Sequence, residues 1–257
     1  MDIAGKVVLI TGASHGIGAA CAAAFRKRGA LLSLAARSEA LLKEAGGPDA
    51  LVTAGDLTDA EVRQRVVERT LERFGRVDIL INNAGVGLYA PASSAPLPEV
   101  RQIFELNLLA ALDLAQLVIP GIKERGSGAI VMVTSIAGMM SLPWLSLYSA
   151  SKAAMDSMAD AMRIELRPHG IHVIKVAPGY VRTGFHDRAL GGKPPAGLAR
   201  YNKFAISAAD CAEAIVRAVE RNARNVLAPK SGWCAVMAAR FFPWLTDRVL
   251  ARVNRGL

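Results

Sequence analysis

Acidic side chains are scarce in this 257-residue chain. Asp and Glu number 22 against 31 Lys and Arg, for a formal net charge of +9. Nucleic acid, an anionic membrane surface or a phosphorylated ligand can each use such a field. No nucleic-acid motif and no aromatic–basic stacking patch accompanies the charge, so no nucleic-acid partner is expected. Cysteine is scarcer still. Cys21, Cys211 and Cys234 are odd in number and widely spaced, which leaves no CxxC or Cys/His zinc pattern and suits a reducing cytoplasm. His15, His169, His172 and His186 are too scattered to form a metal cluster, so no metal is expected. Long apolar runs are missing too. The longest, Leu106 to Ile122, is interrupted by Asn107, Asp113 and Gln116. It predicts a buried helix rather than a membrane span. The basic-then-apolar layout of a secretion signal is absent before the first strand pattern, and a cytoplasmic location is expected. No linker, repeat or low-complexity block divides the chain. With 52% hydrophobic and 21% charged residues, it can bury one sizeable core and reads as a single domain over 1–257.

What is present is alternation. Short aliphatic runs at Val7–Thr11, Leu31–Ala35, Ala50–Ala54, Ile79–Asn82, Ala129–Thr134, His172–Ala177 and Val226–Ala228 read as strands. Helical patterns fall between them at Gly16–Arg28, Ala60–Phe74, Glu99–Lys123, Tyr148–Leu166 and Ala208–Arg221. Strands that are apolar almost without break, separated by helices, predict a parallel sheet covered on both faces. Two regions break the pattern. Residues 184–205 are rich in Gly and Pro and follow a strand, as a substrate lid would. Residues 233–257 form an amphipathic tail.

The first strand runs through Thr11-Gly12-Ala13-Ser14-His15-Gly16-Ile17-Gly18 directly into a helix. Glycine is needed where the backbone turns tightly and where it must approach a pyrophosphate with no Cβ in between. The helix start then offers free N–H groups to the anion. A lone glycine triplet is weak evidence; one that ends a strand and opens a helix is the Rossmann dinucleotide signature. An acidic residue about 20 positions further on would bind the ribose hydroxyl of NAD. Ala36 and Arg37 stand there instead. A guanidinium pairs with a 2′-phosphate, with Ser14 and His15 in reach to help, so NADP(H) is the expected cofactor. Asp56, followed by Leu57, ends the third strand and can accept a hydrogen bond from the adenine amine or cap a helix.

Tyr148 and Lys152 are four positions apart at the start of a helix, which sets them one turn apart on one face. A nearby ammonium lowers a phenol pKa and makes it a usable proton donor. Ser135 lies thirteen residues upstream, just past a strand, where its hydroxyl can bind a substrate oxygen. A Tyr-x-x-x-Lys pair is common by chance; its place relative to Ser135 and the glycine turn is what gives it meaning.

At these positions the chain resembles the classical short-chain dehydrogenase/reductase (SDR) family, from about Lys6 to Pro229. Thr11–Gly18 is similar to the family's TGxxxGxG, and Asn82-Asn83-Ala84-Gly85 to its NNAG segment. Asn107, Ser135, Tyr148 and Lys152 match its catalytic tetrad, and Pro178-Gly179 with Thr183 match its cofactor-contacting PG motif. The resemblance implies a single-domain α/β Rossmann fold, with a doubly wound seven-stranded parallel sheet and helices on both faces. It implies hydride exchange between a nicotinamide and a ketone or aldehyde, or the matching alcohol, with Tyr148 as proton donor or acceptor and Ser135 holding the same oxygen. Lys152 would lower the Tyr148 pKa and hold the nicotinamide ribose. Asn107 would bind a water linking Lys152 to solvent. Asn83 and Gly85, with Ala84 between them, would border adenine and ribose, and Val181 and Thr183 would contact the carboxamide. The family also implies a homodimer or homotetramer through the helices at 99–123 and 148–166.

The substrate is less sharply written. Val86, Met139, Leu142, Trp144, Tyr180 and Phe185 are mostly apolar and point to a lipophilic carbonyl or alcohol. Arg182, Arg188 and Arg200 keep open a substrate with a carboxylate or phosphate, and the alternative within the enzyme class is a reductase of carrier-bound 3-oxoacyl thioesters. A regulator that binds NADP(H) without turnover is the alternative of another class; it would not need Ser135, Tyr148 and Lys152. In the tail, Trp233, Met237, Phe241, Phe242, Trp244 and Leu245 alternate with Arg240, Arg248, Arg252 and Arg255. That pattern suits peripheral attachment to the inner membrane face, or a helix packed over the substrate mouth or across a dimer.

Overall fold

In the computed structural model, which describes residues 1–140, 142–191 and 205–254, strand and helix alternate from the first residues. The order is β1 (Val7–Thr11), α1 (Gly16–Lys27), β2 (Leu31–Ala36), α2 (Glu39–Gly46), β3 (Leu51–Ala54), α3 (Ala60–Phe74) and β4 (Ile79–Asn82). Then come α4 (Leu97–Phe104), α5 (Ala110–Arg125), β5 (Gly128–Val133), α6 (Ser146–Leu166), β6 (Ile171–Pro178), β7 (Val181–Arg182) and β8 (Ile206–Ser207). The chain closes with α7 (Ala208–Glu220), β9 (Asn225–Ala228), α8 (Gly232–Phe241) and α9 (Pro243–Asn254).

Seven strands form one parallel sheet in the order β3-β2-β1-β4-β5-β6-β9. Every residue of β1, β4 and β5 is buried, as strands covered on both faces must be. One core layer joins Val8, Ile10, Phe25, Ile79 and Ile215 on the α1 and α7 side. The other joins Leu9, Val66, Leu114, Ile130 and Met155 on the side of α3, α5 and α6. Each such side chain contributes about 1.5–3 kcal/mol by leaving water. Strand order reverses between β1 and β4, and a crevice opens there at the carboxyl ends of the strands. Left-handed glycines stop the flanking helices: Gly75 ends α3 and Gly126 ends α5.

The structure refines several expectations. The helix predicted over Glu99–Lys123 is in three parts, because a π-helical turn at Glu105–Leu109 separates α4 from α5. As one stretch, Leu97–Arg125 is long and apolar enough to cross a membrane. Ala111, Leu114, Ala115, Val118 and Ile122 instead pack into the core, and Asp113 pairs with Arg63 of α3. α2 escaped the sequence reading because it is one short stretch that buries little beyond Leu42. The amphipathic tail holds two helices, α8 and α9. Of the expected lid, 184–191 and 205 are described, and Arg200 lies outside the described residues, as does Arg255. The first part of the lid is pinned to the 87–89 segment by Tyr89 N–H to Leu190 O (3.0 Å) and Leu190 N–H to Gly87 O (2.8 Å).

Candidate active site

A cleft of about 440 Å³ runs over the carboxyl ends of β1, β2, β4, β5 and β6, within the size range of small-molecule sites. At one end lies the glycine turn. Gly12 has φ +63°, and a Cβ there would stand 2.9 Å from Ala84 Cα. Gly16, at φ +54°, is closed by Thr183, whose Cγ2 a Cβ would meet at 2.9 Å. Gly18 is buried beneath the cleft rather than lining it. A Cβ on it would stand 2.2 Å from the Gly12 carbonyl oxygen, so its glycine serves close packing of helix on strand. Asn83 lines the cleft, as do Ala84 and Gly85, and it also braces the turn. Its Nδ2 donates to Thr11 O (2.9 Å) and Gly12 O (3.2 Å), while the Asn83 and Ala84 N–H groups both donate to Thr11 Oγ1 at 3.0 Å. The side chain expected to border a ligand thus holds the turn's shape.

Above this floor, Ser14, His15, Gly16 and Ile17 line the cleft at the amino end of α1. His15 is the N-cap residue, yet no side chain caps the helix and no acid occupies its first turn. The first N–H groups and the positive dipole end therefore face the cleft with no carboxylate of the helix's own first turn to neutralise them. Ser14 Oγ and His15 Nδ1 are 3.0 Å apart. Arg37 lines the same end, exposed, and forms no ion pair among the described residues. Asp56 and Leu57 line it from the end of β3. Asp56 does not cap α3; Asp59 does. Asp56 instead accepts from the N–H and hydroxyl of Thr58, both at 2.9 Å, and Arg63 pins this loop by donating to Leu57 O and Thr58 O. Glycines without Cβ and an open helix start fit the pyrophosphate of a dinucleotide. Pro178, Gly179, Val181 and Thr183 complete the wall beyond β6.

The other end of the cleft gathers Ser135, Tyr148 and Lys152. Ser135 stands just past β5 and caps a short turn: its Oγ accepts from Ala137 N–H at 3.1 Å. With a lone pair so engaged, the hydroxyl proton is free to point at an oxygen. Ser135 and the Tyr148 phenol are hydrogen-bonded side chain to side chain. Tyr148, in the first turn of α6, is 9% exposed and packs against Phe185 with ring centroids 5.6 Å apart. Burial pushes its phenol up to about 12, against a smaller downward pull from Ser135. The lowering expected from Lys152 is not seen. An ammonium lowers a phenol only at close range, and Lys152 Nζ donates to Val133 O at 2.8 Å. Burial lowers Lys152 itself to about 8.

That shift carries a testable sign. An unfolded lysine keeps its proton to about pH 10.4. Between about pH 8 and about pH 10 the unfolded chain therefore binds more protons at residue 152 than the folded one, and stability rises with pH. Above that window the sign reverses, because unfolded tyrosine ionises while buried Tyr148 stays protonated. From about pH 7 to about pH 10, urea unfolding should show wild type gaining about 2 kcal/mol relative to Lys152→Met. A difference that does not change with pH would contradict the buried ammonium.

Asn107 does not line the cleft. The π-helical turn swings it inward, where its Oδ1 accepts from Val86 N–H (2.9 Å) and its Nδ2 donates to Val86 O and Ser151 Oγ (both 3.0 Å). A Cβ on Gly85 would stand 3.0 Å from Asn107 Oδ1 and 3.4 Å from Lys152 Nζ. Asn107 thus holds the Gly85–Val86 backbone against the reacting centre, and both its amide hydrogens are spent within the protein.

Val86, Leu142, Tyr180 and Phe185 face the cleft as expected. Met139 does not; it packs beside Leu227 and Val236 under α8. Trp144 is not part of the cleft lining either. It sits at φ +65° and its carbonyl accepts from Ala90 N–H. His186 is the residue the sequence did not single out. It lines the cleft, stacks on Tyr180 (centroids 4.6 Å apart, 14° between planes) and hydrogen-bonds the Tyr89 hydroxyl through Nδ1. Tyr89 is 97 residues away in sequence, a pairing no local pattern reveals.

The same residues place the chain among known proteins. The pattern of the short chain dehydrogenases matches residues 6–191, and the chain belongs to this family. Its members are dehydrogenases and reductases of CH–OH groups that use a nicotinamide dinucleotide. The ketoacyl reductase HetN of Nostoc sp. is 35% identical over 233 residues, which cover 88% of this chain and 79% of that protein. The 11-beta-hydroxysteroid dehydrogenase A of Sesamum indicum is 38% identical over 195 residues, covering 71% of this chain and 54% of that protein. The crystal structure of a short chain dehydrogenase from Burkholderia cenocepacia in complex with NADP superposes with a TM-score of 0.81 at 29% identity. The superposition covers 97% of this chain and 99% of that one.

Proposed function

We propose that this enzyme uses NADP(H) to interconvert a lipophilic ketone or aldehyde and its alcohol. The observation that carries the proposal is one cleft holding Ser135, Tyr148 and Lys152 at one end and an uncapped, glycine-lined helix start at the other. The bound nicotinamide would supply or accept the hydride. Gly12, Gly16 and the α1 N–H groups would hold its pyrophosphate, Arg37 with Ser14 and His15 the 2′-phosphate, and Asp56 and Leu57 the adenine. Val181 and Thr183 would meet the carboxamide, beside Pro178 and Gly179.

The chain's own residues do the rest. The Ser135 hydroxyl donates to the substrate oxygen and aims it at Tyr148. The Tyr148 Oη gives its proton to that oxygen in reduction and takes it back in oxidation. Lys152, buried and anchored to Val133 O, carries positive charge at neutral pH and would hold the nicotinamide ribose. Asn107 acts through the Gly85–Val86 backbone as a positioning residue. Val86, Leu142, Leu145 and Phe185 keep water from the reacting carbon.

Apolar walls around the reacting end support a lipophilic substrate. One observation favours a second reading, a 3-oxoacyl thioester: Arg188 lines the cleft, where it can meet a phosphate on a carrier arm. NADPH oxidation across steroids, retinoids, aliphatic aldehydes and 3-oxoacyl thioesters separates the two. Free lipophilic carbonyls should give the higher kcat/KM; faster thioesters would reverse the order. Leu109, Leu117 and Ile164 remain exposed along the π-helical turn, α5 and α6, which supports a homodimer or homotetramer through these helices. A single-chain mass in light scattering would refute it. We place the enzyme in the cytoplasm, peripheral on the inner membrane face.

A further inference from the structure

Exposed aromatic surface is concentrated at one place. Among the described residues, the large hydrophobic side chains left exposed include Trp233, Met237, Phe241, Phe242, Trp244 and Leu245, all in α8, α9 and the bend between them. Phe241 is 63% exposed and Trp244 is 57% exposed. Monomeric proteins rarely leave such side chains contiguous without a partner to cover them. Cations are set among them. Arg240, Arg248 and Arg252 are exposed on the same two helices, against one carboxylate, Asp247. The Arg248 guanidinium lies over the Trp244 ring at 5.4 Å.

This charge decides between partners. A second copy docked by a two-fold axis would bring the same cationic surface against itself. An anionic bilayer offers both halves of a complement. Its headgroups attract the arginines, and its interfacial layer takes Trp and Phe rings that are apolar in body and tolerant of a wet edge.

The pair of helices is also tied to the cleft. Val236, on the inner side of α8, is buried with Ala177 and Leu227, and Ile136 packs against them. Ile136 is itself a wall of the cleft. Gly232, at the start of α8, lies so close that a Cβ there would stand 2.9 Å from Ile136 Cδ1. The start of α8 therefore backs one wall of the cleft, although no residue of α8 or α9 lines it.

We propose that α8 and α9 dock on an anionic bilayer, with the Phe241–Leu245 bend in the interfacial layer, and that the substrate enters the cleft from that lipid. The first clause deepens the peripheral placement proposed above by naming its surface and partner; the second rests on the lipophilic-substrate proposal. Full-length protein is mixed with phosphatidylcholine vesicles, with or without phosphatidylglycerol, and sedimented at low and high salt. It should pellet with the anionic vesicles at low salt, with a blue shift of tryptophan emission, and release at high salt.

The Phe241→Ser/Phe242→Ser/Trp244→Ser variant should lose at least about tenfold in partitioning. Arg240→Ala/Arg248→Ala should lose about fivefold per arginine on anionic vesicles. Both variants change exposed side chains, so both should keep turnover of a water-soluble carbonyl while losing turnover of one embedded in vesicles. Protein left in the supernatant at low salt overturns docking. A serine variant that partitions like wild type, or that changes only the oligomeric mass, also overturns it. Vesicle binding without turnover of any lipophilic carbonyl supports docking and overturns the substrate class.

Discussion

Replacing Tyr148 with Phe will lower turnover by about 10²–10⁴-fold, the usual worth of a positioned general acid, and leave NADPH affinity within about twofold. The substitution keeps the ring that packs on Phe185 and removes only the hydroxyl that meets Ser135. Among the described residues no other phenol takes its place: Tyr89 is committed to His186, and Tyr180 is stacked on that same ring. The Ser135 hydroxyl can still bind a carbonyl oxygen but has no proton store behind it. Stopped-flow turnover with fluorescence titration of NADPH separates the two effects. A variant that turns over near the wild-type rate would remove Tyr148 from the mechanism. So would one whose loss lies wholly in cofactor affinity.

Arg37→Asp should reverse cofactor choice. Hydrogen bonds to a charged group contribute about 1.5–3 kcal/mol, so kcat/KM for NADPH should fall by at least about ten- to hundredfold. A carboxylate near a 2′-phosphate adds repulsion to the lost pairing. The same carboxylate can accept from a ribose hydroxyl, so kcat/KM for NADH should hold or rise. Arg37 is exposed at the rim, so the fold should tolerate the change; an unaltered thermal midpoint checks this. A wild type that already favours NADH, or a variant that keeps its NADPH preference, would contradict the role given to Arg37.

The glycine turn and the Tyr148–Lys152 pair were legible because each is local. A positive φ at Gly12 and a backbone approach at Gly18 can be met by glycine alone, and one helical turn carries residue 148 over residue 152. The parallel sheet was legible for a related reason: strands buried on both faces leave no polar positions to hide them. The water expected at Asn107 is what the family resemblance implies, and the sequence around it looks like ordinary helix. The π-helical turn that points it at Val86 has no signature in the letters. Met139 reads as an apolar loop residue near the site, and only the path of α8 shows that it faces away. His186 depends on Tyr89 and Tyr180, a long-range arrangement. The Tyr148 pKa went the other way because burial outweighs any charge that is not in contact.

The most direct test follows the hydride itself. NADPH deuterated at C4, on each face in turn, is given to the enzyme with a lipophilic ketone, and the product alcohol is weighed by mass spectrometry. One of the two labelled cofactors should yield alcohol heavier by one mass unit at the carbinol carbon, and the other unlabelled alcohol. Alcohol that carries no deuterium from either, or no alcohol at all across the carbonyl panel, would contradict catalysis by hydride transfer in this cleft.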